Sequence, residues 1–195
     1  MMKQKIIFAS TNAGKVAELN YAFQQLSFEI ISQKNLDMSE VEETASTFVE
    51  NALIKARHAS RISQLPAIAD DSGLVVPALH GEPGIHSARF AGSPQNAKAN
   101  IQKLLDLLAN QSHRDAWFHC TLVFLRHEND PAPLIAEGRW YGSILLSERG
   151  SNGFGYDPIF LDPTTNCSAA ELSVEEKNKL SHRGQAIRRL LEIMR

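Results

Sequence analysis

The sequence predicts an α/β fold with a mixed β-sheet flanked by helices. Two observations predict it. The first third of the chain alternates short apolar runs with helical periodicity in the order βαβαβ. Later the chain carries two long strand-like runs, 116–126 and 134–146, joined by the turn-rich segment 128–133. Size agrees: 195 residues, 43% hydrophobic and 22% charged, suit one domain or two lobes sharing a sheet.

Lys5-Ile6-Ile7-Phe8-Ala9 reads as a buried strand, and the polar turn from Ser10 to Gly14 follows it. Val16, Leu19, Phe23 and Leu26 recur at helical spacing, which predicts a helix over 15–26. Phe28 to Ile31 is a short second strand, and the acidic stretch from Asp37 to Glu43 is a loop. Thr44 or Ser46 then caps a helix that runs to about Gln64. Leu65 to Ala69 and Leu74 to Ala78 are strand-like, with Asp70-Asp71-Ser72-Gly73 as a turn between them. His80 to Gly84 is a Gly/Pro loop, and a helix over 95–108 is entered through Ser93-Pro94. After the two long strands, the glycine-rich 150–155 precedes Asp157-Pro158-Ile159-Phe160. Ser173 and Glu176 form a capping box for the C-terminal helix, and Ser181 offers a restart.

Charge narrows the function. Twenty basic against 22 acidic residues leave a net charge of −2, which excludes a broad nucleic-acid or membrane-surface binder. No run approaches the roughly 20 apolar residues of a membrane span. Lys3-Gln4-Lys5 leads into a strand and not into a signal-peptide core. Cys120 and Cys167 lack metal-ligand spacing, and Cys120 reads as a small buried hydrophobe. A reducing cytoplasm is the expected location.

Four segments carry chemistry. In Asp70-Asp71-Ser72-Gly73, adjacent carboxylates beside apolar strands cost desolvation and repulsion unless a cation or donor satisfies them. A divalent metal, Mg²⁺ above all, is one answer, and a solvated turn is the other. Ala9 to Lys15 resembles a Walker A loop but lacks its first glycine, and Val16 stands where the hydroxyl should follow the lysine. Hydroxyls, Asn12, Lys15 and free amides at a helix start still suit a phosphate. The acidic run Glu40-Val41-Glu42-Glu43 is either a solvated face or a source of one metal ligand to join Asp71. Asn51 and Lys55, four apart, share a helix face.

The glycines around Phe154 allow a tight backbone that leaves the ring open to a flat ligand, or folds it into the core. Tyr156 reads as structural. Lys177, His182 and Arg183 are donors for a carbonyl on a base edge, or a surface basic cluster. The other histidines show no ligand spacing.

In order and spacing, these segments resemble the inosine/xanthosine triphosphate pyrophosphatase family. The resemblance runs from Phe8-Ala9-Ser10-Thr11-Asn12-Ala13-Gly14-Lys15 to Ser181-His182-Arg183-Gly184-Gln185-Ala186. Between these lie Phe48 to Ala52, Ala69 to Leu74, Pro83 to Arg89 and Gly153 to Pro158. Departures are few: His86 replaces an aromatic or small residue, and Ser10-Thr11 replaces Thr-Gly. The resemblance implies a long central mixed sheet in a single domain over 1–195, with two lobes and a nucleotide cleft between them. It implies Mg²⁺-dependent hydrolysis of ITP, dITP and XTP to the monophosphate and pyrophosphate by a homodimer, keeping these bases out of DNA and RNA.

By position, it places the phosphate loop on Ser10, Thr11, Asn12, Ala13, Gly14 and Lys15, with Lys55 facing the triphosphate. Metal binding falls on Glu42 and Asp71, catalysis on Asp71, and a substrate contact on Ser72. The base pocket falls on Phe154, Gly155, Tyr156, Asp157, Lys177, His182 and Arg183. Either Asp71 or metal coordination activates the attacking water. Donors facing position 6 of the base favour a keto oxygen over the amino group of adenine. Two alternatives compete: a nucleotide-binding regulatory module without hydrolysis, and a pyrophosphatase for modified pyrimidine or methylated nucleotides.

Overall fold

The computed structural model describes residues 3–24, 28–36, 38–39 and 41–195. Leu26, Asp37 and Glu40, which the sequence reading places in a helix and an acidic loop, lie outside the described residues. The elements are β1 (Gln4–Phe8), α1 (Ala13–Phe23), β2 (Phe28–Ser32), α2 (Phe48–Ser63), β3 (Ala67–Val75) and α3 (Ala97–Leu107). They continue with β4 (Asp115–Leu125), β5 (Leu134–Ile144), β6 (Phe160–Asp162), β7 (Cys167–Ser168), α4 (Val174–Leu180) and α5 (His182–Ile193). Among the described residues the strands form one sheet in the order β2-β1-β3-β4-β5-β6-β7. The sheet is mixed as expected: β1 runs parallel to β2 and β3, while β6 runs antiparallel to β5 and β7.

The largest correction concerns the aspartates. Asp70 and Asp71 sit inside β3, which runs unbroken from Ala67 to Val75, and not in a turn between two strands. Asp-Asp-Ser-Gly has turn composition. Here, however, both carboxylates meet lysines, and the flanking apolar residues are fully buried, so the strand continues through them. Helix boundaries shift slightly. Thr47, rather than Thr44 or Ser46, caps α2, its hydroxyl accepting from the Glu50 amide. Asn96 caps α3, so that helix starts later than Gln95. The capping box of Ser173 and Glu176 forms as expected, and Ser181 separates α4 from α5.

The chain divides into two compact units. The first comprises Met1–Asp71, Cys120–Glu137 and Ala186–Arg195, the second Ser72–His119 and Gly138–Gln185. Within the first unit, strand alternation builds two cores on opposite sheet faces. Ile6, Phe8, Ile68, Cys120 and Leu122 pack with Leu19 and Phe23 of α1 and Ile187 and Leu190 of α5. Ile7, Ala67, Ala69, Val123 and Leu125 pack with Ala52, Ala56 and Ala59 of α2. Small alanines on α2 let the helix sit close to the sheet. The core of the second unit centres on Phe118, Trp140 and Phe160, with Leu104 of α3 and Ile159.

Candidate functional site

Because successive strand residues face opposite ways, Asp70 shares the α1 face with Ile68, and Asp71 shares the α2 face with Ala67 and Ala69. Each aspartate therefore meets the cation of a different helix. Lys15, in the first turn of α1, pairs with Asp70. Lys55, in the second turn of α2, donates to Asp71 Oδ1 at 2.7 Å. The other Asp71 oxygen, Oδ2, is buried and has no hydrogen-bond partner.

The turn from Ser10 to Gly14 is held by its own side chains. Asn12 caps α1, its Oδ1 accepting from the amides of Gly14 at 3.0 Å and Lys15 at 3.2 Å. Its own amide donates to Ser10 Oγ at 3.2 Å. Thr11, Asn12, Ala13 and Gly14 are exposed, so the turn is open to solvent. On α2, Asn51 does not aim at this site. It grips the backbone of Ala45 through both ends of its amide, at 3.0 and 3.4 Å, and so fixes the acidic segment against the helix.

That segment delivers a carboxylate, although Glu42 itself is exposed. Its neighbour Glu43 is half-buried and lies 3.4 Å from Lys55 Nζ. Lys55 thus sits between Glu43 and Asp71. Burial disfavours the Lys55 ammonium, but the Asp71 and Glu43 carboxylates outweigh it and hold its pKa above the ordinary 10.5. Asp71 moves the other way. Burial pushes its pKa from 3.8 up to about 6, the Lys55 charge restraining the rise and Glu43 and Asp70 adding to it. Among the described residues no group of three His, Cys, Asp or Glu side chains gathers as a metal cage. The fit to a hard cation rests instead on Asp71: a buried carboxylate oxygen without a donor, with Glu43 close by.

Cys120 of β4 donates its thiol to Asp70 Oδ2 at 3.2 Å. The sequence reading of Cys120 as a plain hydrophobe captures its burial and misses this contact. Strand parity is the signal that could have found it, since Cys120 and Ile68 share one packed face. Glu43 was missed for another reason: nothing in spacing separates it from Glu42.

In the second unit the glycine loop and α4 make a separate constellation. Asp157 Oδ2 accepts from the Phe154 amide at 2.7 Å and from Lys177 Nζ at 2.5 Å. A side chain at Gly153 would collide with that carboxylate, and Gly153 has φ +76°, so glycine is required there. Lys177 Nζ lies 4.8 Å from the centre of the Phe154 ring and the Arg183 guanidinium 5.8 Å. Phe154 nevertheless keeps 43% of its surface exposed, which favours an open ring over a core one.

His182 begins α5 and is buried, stacked on Phe118 at 4.8 Å with 14° between the rings. Only its edge can therefore serve as a donor to a ligand. Tyr156 is buried and its hydroxyl donates to the Ser87 carbonyl at 2.9 Å. Burial pushes its phenol pKa up. Gly155, with φ +62°, lets the backbone turn between Phe154 and Tyr156. Ser72 lies in β3 directly after Asp71 and is half-buried.

Known proteins match this arrangement over nearly the whole chain. The family model described as the Ham1 family matches residues 6–193. A dITP/XTP pyrophosphatase of Methylococcus capsulatus is 57% identical over 187 residues, which are 95% of this chain and 93% of that protein. One from Nitrosomonas europaea is 50% identical over 190 residues, 97% of this chain and 94% of that protein. Among solved structures, a HAM1 protein from Coxiella burnetii superposes with a TM-score of 0.93 at 48% identity, covering 98% of both chains. On the match of the family model, the long identities and the superposed fold, the chain belongs to the Ham1 family.

Proposed function

We propose that this protein hydrolyses non-standard purine nucleoside triphosphates, ITP, dITP and XTP, to the monophosphate and pyrophosphate. The observation that carries the reading is Asp71, a buried carboxylate with one oxygen on Lys55 and the other without a partner. The names of its relatives, dITP/XTP pyrophosphatases at 50–57% identity, support the substrate class. The finer points are proposals: a single domain of two lobes with a nucleotide cleft, Mg²⁺ dependence, a homodimer that binds no nucleic acid, and a cytoplasmic location. Among the described residues no helix is long and apolar enough to cross a membrane.

Asp71, joined by Glu43 or Glu42, would hold the metal. When bound, Mg²⁺ would neutralise and orient the triphosphate. Lys15 and Lys55 would offset charge developing on the leaving pyrophosphate. Asp71 would accept the proton of the water that attacks the α-phosphorus. The turn from Ser10 to Gly14 would receive phosphate oxygens, and Ser72 would touch substrate.

In the second unit, the exposed Phe154 ring would stack on the base, and Lys177, Arg183 and the His182 edge would supply donors to a keto oxygen at position 6. Gly155 and Asp157 shape and brace this loop, and Tyr156 anchors it from the buried side. The test is pyrophosphate release with Mg²⁺ across ITP, XTP, dITP and the standard triphosphates. Turnover of ITP, dITP and XTP at least about 100-fold above ATP is expected, and equal turnover of all would overturn the specificity.

A further inference from the structure

Asp70 has no part in the chemistry above, yet its side chain is fully buried in a strand that also carries Asp71. A buried carboxylate is costly, and it is kept only where partners compensate it. Its two oxygens are used differently. Oδ1 receives the Lys15 ammonium, and Oδ2 receives the Cys120 thiol at 3.2 Å. Cys120 is itself fully buried on β4, the strand next to β3, so close packing limits where its thiol can point. A carboxylate pinned at one oxygen can present the other in only one direction. Lys15, on a flexible four-carbon stem, otherwise has many positions open to it.

We propose that Asp70, oriented by the Cys120 thiol, is a positioning residue that aims the Lys15 ammonium, and that it is not a metal ligand. This rests on the proposed hydrolysis, in which Lys15 meets the departing pyrophosphate. Electrostatics sets the expected pattern. Removing the Asp70 charge leaves Lys15 fully positive, so affinity for a polyanion does not fall. What falls is the alignment of Lys15 in the transition state, which appears in kcat.

The experiment uses the full-length protein with Cys120→Ala, Cys120→Ser, Asp70→Asn and the double variant of Cys120→Ala with Asp70→Asn. Cys120→Ala is expected to lower kcat for ITP about fivefold with KM within about twofold, the worth of one modest hydrogen bond. Cys120→Ser, which keeps a donor, is expected to restore kcat to within about twofold. Asp70→Asn is expected to lower kcat further, while the affinity for inorganic tripolyphosphate in EDTA is undiminished and the Mg²⁺ concentration for half-maximal rate is unchanged. The double variant is expected to be no worse than Asp70→Asn alone, because both act through one path.

A second readout is independent of turnover: acylation of Lys15 Nζ in metal-free protein, followed by mass spectrometry. It is expected to quicken in Cys120→Ala and Asp70→Asn and not in Cys120→Ser. Equal losses in the Ala and Ser variants, additive losses in the double variant, a large shift in Mg²⁺ requirement for Asp70→Asn, or unchanged Lys15 acylation each overturn the proposal. If the unmodified protein turns over no purine triphosphate, the proposed function fails, and the acylation pattern still decides whether Asp70 and Cys120 place Lys15.

Discussion

Replacing Asp71 by Asn should make the metal-free protein more stable while removing its activity. Burial raises the Asp71 pKa from 3.8 to about 6, so the folded chain holds this carboxyl's proton more tightly than the unfolded chain does. At about 1.4 kcal/mol per pKa unit, keeping Asp71 ionised at pH 8 costs about 3 kcal/mol. A gain of up to about 3 kcal/mol follows, or roughly 6–12 °C in Tm for a chain of this size.

The pH dependence has a fixed sign. A raised folded pKa contributes stability that is complete below the unfolded value and is lost as pH climbs through about 6. The advantage of Asn should therefore be full at pH 8 and fall to about one third at pH 4.5. The assay is thermal denaturation of both proteins in EDTA at the two pH values. A less stable Asn variant, or a gain that ignores pH, would refute the account of Asp71 as a strained, desolvated carboxylate.

Other outcomes follow from the same geometry. Asp71→Asn should lower ITP turnover at least about 1,000-fold while nucleotide binding, measured by calorimetry, largely persists. Arg183→Ala should raise KM for ITP more than it changes ATP hydrolysis, since it removes a donor beside Phe154; equal losses on both substrates count against that role. Asp157→Ala strips the acceptor from a buried lysine and from the Phe154 amide, and should cost about 3–5 kcal/mol in urea denaturation. Chelation with EDTA should abolish turnover and added Mg²⁺ should restore it, with circular dichroism unchanged throughout; full turnover in EDTA would reject the metal.

Most of the element order was legible because periodicity and caps are local signals, whereas β6 (Phe160–Asp162) and β7 (Cys167–Ser168) are too short to show an alternation. The capping box at Ser173 and Glu176 and the break at Ser181 needed only a few residues of context to read. The course of the chain through Asp70 and Asp71 was not legible, because locally the segment has turn composition. What keeps it extended is two lysines, Lys15 and Lys55, from helices far away in sequence. The site was readable at the level of residue type and not of partner. Lys15, Lys55 and Asp71 were all named, but which lysine meets which aspartate depends on strand parity against two helices. Glu42 and Glu43 are adjacent and chemically equal, and which of them turns inward to Lys55 is a matter of tertiary placement that spacing does not carry. Cys120 was underread because a thiol in an apolar strand declares its volume and hides its donor.

The Asn12 cap also bears on how anything is captured at the start of α1. Its oxygen already occupies the amides of Gly14 and Lys15. The donors are in place but spoken for, so an incoming phosphate must trade with the protein and cannot simply be added to it. A lone orthophosphate brings too little to the exchange, whereas a polyphosphate chain repays several such trades at once. The resting loop thereby keeps its shape without a guest, and a short anion can leave as readily as it came.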